Sequence, residues 1–282
     1  MTDEKTESRE KIGNEMEGAV ADMIDDLLEG LNIHVIGVGG CGCNTVEYIT
    51  KQKMANVKTI GINTDKTVVN GLDVNRQMLI GREITQGEGA KGDPILGKRA
   101  AELHEEQILN SFENADMVVI AAGLGGGTGS GASKVIAQLA KRNGKLVVSY
   151  AVMPFSVEGD RYHLAKKSLK DLSKVSNAIT VLENDKIVEM YADKTPKEAM
   201  QLSGRMLHQV VERLRLDCLV EFFKECGVST EAKNEIYSEV EPDLAETNNT
   251  AETTMIKALG YENVSKEYSS PKLDSFLETY SR

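Results

Sequence analysis

The sequence predicts an α/β fold, a doubly wound and mostly parallel sheet followed by a reduced, mainly helical C-terminal region. Three observations carry this. Five short runs, Ile33 to Val38, Val57 to Ile62, Met117 to Ala122, Leu146 to Val152 and Ala178 to Leu182, are almost continuously apolar, the pattern of parallel strands covered on both faces. Between them lie helix-like stretches, Asn44 to Lys53, Ile95 to Phe112, Gly131 to Asn143 and Arg161 to Val175, and such alternation implies crossover connections in an open sheet. Beyond about residue 185 the strand signals fade and helical spacing takes over.

Taken in order, the first 14 residues are polar and charged, after which Met16, Val20, Met23, Ile24, Leu27, Leu28 and Leu31 recur at helical steps. This predicts a loose tail and an amphipathic helix over 1–31, ended at Gly30. The nucleotide-binding candidate occupies 32–190. Thr195-Pro196 then has the look of a helix start, and Ala199, Leu202, Met206, Leu207, Val210, Leu214 and Leu216 predict a long helix within 191–228. The remainder, 229–282, reads as short helix and loop, with Pro242, Asn248-Asn249 and Ser269-Ser270-Pro271 as breakers and a last helix carrying Leu273, Phe276, Leu277 and Tyr280.

Bulk composition excludes several functions. The 282 residues carry 44 acidic and 33 basic side chains, a net charge of −11, so the long-range field repels nucleic acid and anionic lipid. No apolar run approaches the roughly 20 residues of a membrane span, and the opening MTDEKTESRE has no signal core. A cytoplasmic protein with no direct membrane insertion and no nucleic-acid partner is expected. Cysteines at 41, 43, 218 and 226 lack the spacing of a disulfide framework. Cys41-x-Cys43 has no second pair or neighbouring His to complete a metal site, so no metal is expected there.

Two segments carry candidate chemistry. Gly37-Val38-Gly39-Gly40-Cys41-Gly42-Cys43-Asn44 follows one strand and opens a helix, where small residues admit phosphate oxygens to free backbone N–H groups. Its G-x-G-x-x-G spacing with Asp65 downstream also suits a dinucleotide loop, leaving a Rossmann-type NAD-binding enzyme open as one reading. The second segment, Gly123 to Gly131, holds six glycines with Thr128 and Ser130 among them, directly after another buried strand. Thr128 is placed to bond a phosphate oxygen while Ser130 or Gly131 opens the next helix. Two such loops on neighbouring strands suit a chain of phosphates gripped from both sides, which counts against an ordinary dinucleotide domain. Bulk at Thr128 and Gly129 is expected to abolish binding without unfolding the chain.

The run Gly125-Gly126-Gly127-Thr128-Gly129-Ser130-Gly131 resembles the signature of the tubulin/FtsZ family, and further segments resemble FtsZ in the same order. Ile36 to Val46 resembles the first phosphate loop, with Cys41 and Cys43 where glycines are usual, and Ile62 to Asp65 the loop after it. Gly87 to Pro94 is similar to the loop that senses the terminal phosphate, Pro154 to Gly159 to the ribose segment, and Asn184-Asp185-Lys186 to the lead into the central helix. The resemblance implies GTP or GDP as ligand, with Mg²⁺ compatible with GTP. It places phosphates at Gly39, Gly40, Cys41, Gly42, Cys43 and Asn44 and at Gly125, Gly126, Gly127, Thr128 and Gly129. The terminal phosphate falls at Ala90, Lys91 and Gly92, and the ribose at Glu158.

Departures from the family pattern shape the expected function. Tyr162 stands where the family has Arg, with Arg161 beside it able to take its place, and the base-reading position falls near Gly204. Of the family's N-x-D-x-x-D loop, which one subunit offers to the nucleotide of the next, Arg215 to Val220 keeps at most Asp217. The resemblance therefore implies a divergent FtsZ-like guanine-nucleotide-binding protein, a regulatory or scaffold component of a prokaryotic division or cytoskeletal system with weak or no GTPase activity. It would associate with itself or with another FtsZ-like protein. The alternative is an active polymerising GTPase with an unrecognised catalytic loop. The sheet of the family's second domain has no counterpart in the expected C-terminal region.

Overall fold

The computed structural model describes residues 30–190 and 196–225, with α9 side chains described over 201–218. The amphipathic pattern over 16–29, the segment 229–282 and its terminal apolar residues lie outside the described residues. Six strands form one sheet: β1 (Ile33–Val38), β2 (Val57–Asn63), β3 (Arg76–Leu79), β4 (Met117–Gly123), β5 (Leu146–Met153) and β6 (Ala178–Glu183). All pairings are parallel, in the order β3-β2-β1-β4-β5-β6. The order reverses between β1 and β4, which is where an open α/β sheet leaves a crevice beyond its carboxyl ends.

The five apolar runs are all strands, each within one residue of its expected end. β3 is the strand that the apolar pattern does not reveal. It is a four-residue edge strand whose Arg76 and Gln77 face solvent, so it needs no apolar run to be stable.

The helices are α1 (Gly39–Gln52), α2 (Lys66–Asn70), α3 (Arg82–Thr85), α4 (Pro94–Glu102), α5 (Glu105–Ser111), α6 (Gly127–Arg142), α7 (Asp160–Ser173), α8 (Asn184–Met190) and α9 (Pro196–Glu225). The stretch Ile95 to Phe112, expected as one helix, is two. Leu103 and His104 interrupt it, and His104 places Nδ1 3.1 Å from Ala100 O and 3.3 Å from Gly81 N. The long helix starts at Pro196 as the sequence predicts.

Strand alternation divides the core into two layers. Ile36, Ile60, Ile62, Met78, Val118 and Ile120 face α4 to α7 through Ala100, Ile108, Phe112, Ala132, Ile136 and Leu172. Val35, Val119, Val148 and Tyr150 face α1 and α9 through Val46, Ile49, Met206, Leu207, Val210 and Leu214. Helix α9 thus covers the sheet's second face and is not a free arm. Its Gly204 backs onto α1, where an added Cβ would lie 2.4 Å from Tyr48 Cβ.

Candidate functional site

The crevice at the switch point is built from two helix starts. Helix α1 begins at Gly39, one residue after β1 and five before the expected Asn44, and its N-cap Val38 offers no side-chain cap. Helix α6 begins at Gly127, before the expected Ser130 or Gly131, with Gly126 as an uncapped N-cap in extended conformation. Glycine is a poor helix former by about 1 kcal/mol, so both glycine runs read as loops. Packing overrides that preference here. The first N–H groups of both helices lack intrahelical partners, and both macrodipoles put their positive ends at the crevice.

What each glycine does can be read from the space beside it. A Cβ on Gly42 would sit 2.2 Å from Ala121 O of β4, on Gly37 2.5 Å from Gly42 O, and on Gly129 2.2 Å from Gly123 O. Gly39, with φ +74°, has Gly129 N at 2.9 Å from such an atom. These positions lock the two helix starts to the strands and to each other. Gly127 backs onto Ala90 and Asp93, and Gly131 onto Pro94 O at 2.1 Å, so α4 crosses α6 backbone to backbone. Gly40 and Gly126 differ: nothing lies within 4 Å of a Cβ on either. They face open space. The expectation that bulk at Gly129 spares the fold is corrected by this geometry, since any side chain there strikes the β4 backbone.

The remaining candidates divide by position. Cys41 is exposed on the first turn of α1, its side chain lying over Gly123. Cys43 is fully buried, its single S–H within reach of Gly37 O at 3.5 Å and Ile62 O at 3.6 Å, and burial pushes its pKa up to about 12. Its side chain lies in the core and away from the crevice, and Asn44 is exposed one residue further along α1. Thr128 Oγ1 is 2.7 Å from Thr64 Oγ1, and Ser130 Oγ accepts the Gly125 N–H at 2.8 Å. Thr64 belongs to the site's framework, yet 64 residues of separation from Thr128 give no sequence signal of the pair.

Asp65 caps α2, its Oδ1 accepting from Thr67 N–H at 2.8 Å and Val68 N–H at 3.3 Å. The loop 87–93 leans on it and on α6. Gly87, Gly89, Lys91 and Gly92 all have positive φ, Gly89 N–H donates to Thr64 O, and buried Ala90 packs on Gly127. Lys91 reaches back to Glu88 at 2.6 Å, with both side chains exposed, and holds the Glu88 carboxyl below its ordinary range. The N–H groups of Glu88 and Asp93 are likewise taken, by Thr85 O and Ala90 O, so an anion at this loop would fall to Ala90, Lys91 and Gly92.

On the other flank, Glu158 Oε1 accepts from Phe155 N–H at 2.9 Å and Oε2 from Arg161 Nη1 at 2.7 Å. Asp185 accepts the Ser156 N–H and steadies the same turn. Gly125, φ +87°, backs onto Arg161 O and Cγ, so the Glu158–Arg161 pair adjoins the second glycine run. The structure therefore gathers Gly39 to Cys41, Asp65, Ala90 to Gly92, Gly125 to Gly129, Glu158 and Arg161 around one crevice. Gly204 is engaged with Tyr48, and Asp217 is paired with Arg213 at 3.1 Å.

Residues 32–192 match the model of the Tubulin/FtsZ family, GTPase domain. The chain belongs to the tubulin/FtsZ family. Among the relatives of this FtsZ-family chain, "Cell division protein FtsZ 1" of Pyrococcus horikoshii is 43% identical over 182 residues, covering 64% of this chain and 49% of the relative. The chain spans about half the length of the curated relatives it matches. Of solved structures, an empty FtsZ dimer from M. jannaschii superposes with a TM-score of 0.62 at 34% identity, over 66% of this chain and 54% of the other. A CetZ2 protofilament from Haloferax volcanii with GTPγS bound gives 0.59 at 26% identity, over 66% and 58%.

Proposed function

We propose that the crevice binds GTP or GDP and that the chain is a divergent FtsZ-like component of a cytoplasmic cell-division or cytoskeletal system. The observation that carries this is the convergence of two uncapped helix N-termini at the sheet's switch point, with open space beside Gly40 and Gly126. Phosphates would take the free N–H groups of both first turns, the terminal phosphate would meet the loop at Ala90 to Gly92, and Glu158 would accept from the ribose hydroxyls. Residues 32–190 would form the nucleotide-binding unit, with α9 as its central helix. Among the described residues no helix is long and apolar enough to cross a membrane.

Magnesium fits as a companion of GTP. Asp65 uses Oδ1 for its cap, which leaves Oδ2 near Gly89, and Mg²⁺ ordinarily takes one or two carboxylates plus phosphate oxygens and water. It would neutralise phosphate charge there.

A regulatory or scaffold role with weak or no turnover is supported by Asp217, whose carboxylate is held by Arg213. The polymerising-GTPase reading has its own support: Ile95 is 76% exposed and Val157 90%, on segments either side of the crevice. Identifying the nucleotide that co-purifies tests the first claim; retained NAD with neither GTP nor GDP would overturn it. GTP turnover that rises with protein concentration alongside light scattering would favour the polymer over the scaffold.

A further inference from the structure

At the opposite end of the sheet the amino ends of β1, β2 and β3 form a second concave surface. β3 starts late: its first residue, Arg76, pairs with Ile60, so β2 has no strand neighbour on that side before Ile60. Asn75 Oδ1 fills part of the gap, accepting from Thr59 N–H at 2.8 Å and Thr59 Oγ1 at 2.9 Å. What remains is a recess of about 400 Å³ whose lining includes His34, Lys58, Asn75, Arg76, Asn110 and Ser111. Its size is at the low end for small-molecule sites.

Register determines its chemistry. His34 lies beside Lys58, and Arg76 beside Ile60, on the sheet face whose inner members Ile36, Ile60 and Met78 are core. That face turns from apolar to cationic at its rim. Lys58 and Arg76 are exposed, Glu113 is the one carboxylate among the lining residues, and nearby Asp116 already accepts the Asn32 N–H. On a chain of net charge −11, this is a local reversal of sign.

His34 supplies the second, independent observation. It is only 4% exposed. Its Nδ1 lies 3.2 Å from Ser111 O, and a carbonyl can only accept, so Nδ1 carries the proton and Nε2 is a bare acceptor. That Nε2 is buried and has no hydrogen-bond partner, a costly arrangement unless a donor arrives from outside the protein. Burial and the neighbouring Lys58 and Lys145 favour the neutral ring.

We propose that this recess binds a small phosphate ester bearing a free hydroxyl, the phosphate held by Lys58 and Arg76 and the hydroxyl donating to His34 Nε2. Two cations suit a dianion, and a neutral imidazole lone pair asks for a donor.

The test is a titration of glycerol 3-phosphate into the full-length protein as purified, followed by ¹⁵N NMR of its four histidines, with His34 assigned through H34Q. A saturable shift of the His34 Nε2 signal is expected, weakened about tenfold or more in the double variant K58A/R76A. Both replaced side chains are exposed, so the melting temperature should hold; R76Q alone serves if the double variant is unstable. Methyl phosphate, with the same charge and no such hydroxyl, should bind severalfold more weakly. The proposal is overturned if His34 shows no saturable shift by about 10 mM. It is overturned equally if the shift survives K58A/R76A, or if methyl phosphate binds as well.

Discussion

Replacing Gly126 by Asp pits the stability of α6 against its proposed ligand, and the two effects have opposite signs. Gly126 is the N-cap of α6, with φ −98° and ψ 173°, a conformation any residue adopts, and nothing lies within 4 Å of an added Cβ. Asp is a better N-cap than Gly by a few tenths of a kcal/mol, and its charge at the helix start adds about 0.3–1 kcal/mol. Nucleotide-free G126D should therefore melt at the parent's temperature or up to about 4 °C higher. The same carboxylate would occupy the N–H groups that the phosphates need. At roughly 4 Å from a phosphate and an effective dielectric of about 20, each unit of like charge costs about 4 kcal/mol, or some three orders of magnitude in affinity. Fluorescent-GDP competition and thermal melts of the nucleotide-free protein give both numbers. GDP affinity within about tenfold of the parent, with melting preserved, would show that the phosphates do not sit on α6. A fall in melting temperature would refute the reading of Gly126 as open.

Further outcomes follow from the same geometry. Burial raises the thiol pKa of all three described cysteines, Cys43 and Cys218 to about 12, but of the three Cys41 alone is exposed; among them maleimide should therefore label Cys41 first, and saturating GDP should slow it, as read by mass spectrometry. An unchanged labelling rate with GDP would remove Cys41 from the site. Gly204→Ala gains up to about 1 kcal/mol of helix propensity but overpacks Tyr48, at about 1–3 kcal/mol. It should destabilise alone and still do so in a Tyr48→Ala background, which keeps the Cβ at 2.4 Å, but stabilise in a Tyr48→Gly background, a sign change that denaturant melts detect. Burial lowers the pKa values of His34 and His208 below their ordinary 6.5. The unfolded chain then binds more protons below that pH, so unfolding free energy should fall as pH drops below 6.5 and His34→Gln should flatten part of the slope. Stability that rises on acidification would contradict it.

How much of this was legible in sequence depends on what each residue answers to. β1, β2, β4, β5 and β6 announced themselves because a strand buried on both faces must be apolar throughout; β3, at the edge, has no such obligation. The break at His104 is invisible because no Gly or Pro marks it; what His104 meets there includes Gly81, from another segment. At the site, the glycine runs and Glu158 were visible as residue types at telling spacings, while the Thr64–Thr128 pair and the burial of Cys43 depend on tertiary placement. Cys43 illustrates the limit: two residues beyond Cys41, it turns to the opposite side of α1.

The glycines show why a motif can be right about a place and incomplete about its reason. Taken as a phosphate cradle, every glycine of the two runs has the same role, yet most of them answer to protein backbone. Gly37, Gly42, Gly127, Gly129 and Gly131 each have a backbone atom where a Cβ would be, and Gly39 and Gly125 add positive φ. Only Gly40 and Gly126 have space that a ligand alone would fill. The close packing is nonetheless what makes the site: it starts α1 directly after β1 and α6 after only Leu124 to Gly126 beyond β4, without side-chain caps, and brings two sets of unpaired N–H groups to one crevice. Two classes of substitution should therefore behave differently. Side chains at Gly42 or Gly129 should cost the fold first and binding as a result, whereas at Gly40 or Gly126 binding should fail in a chain that still melts cooperatively.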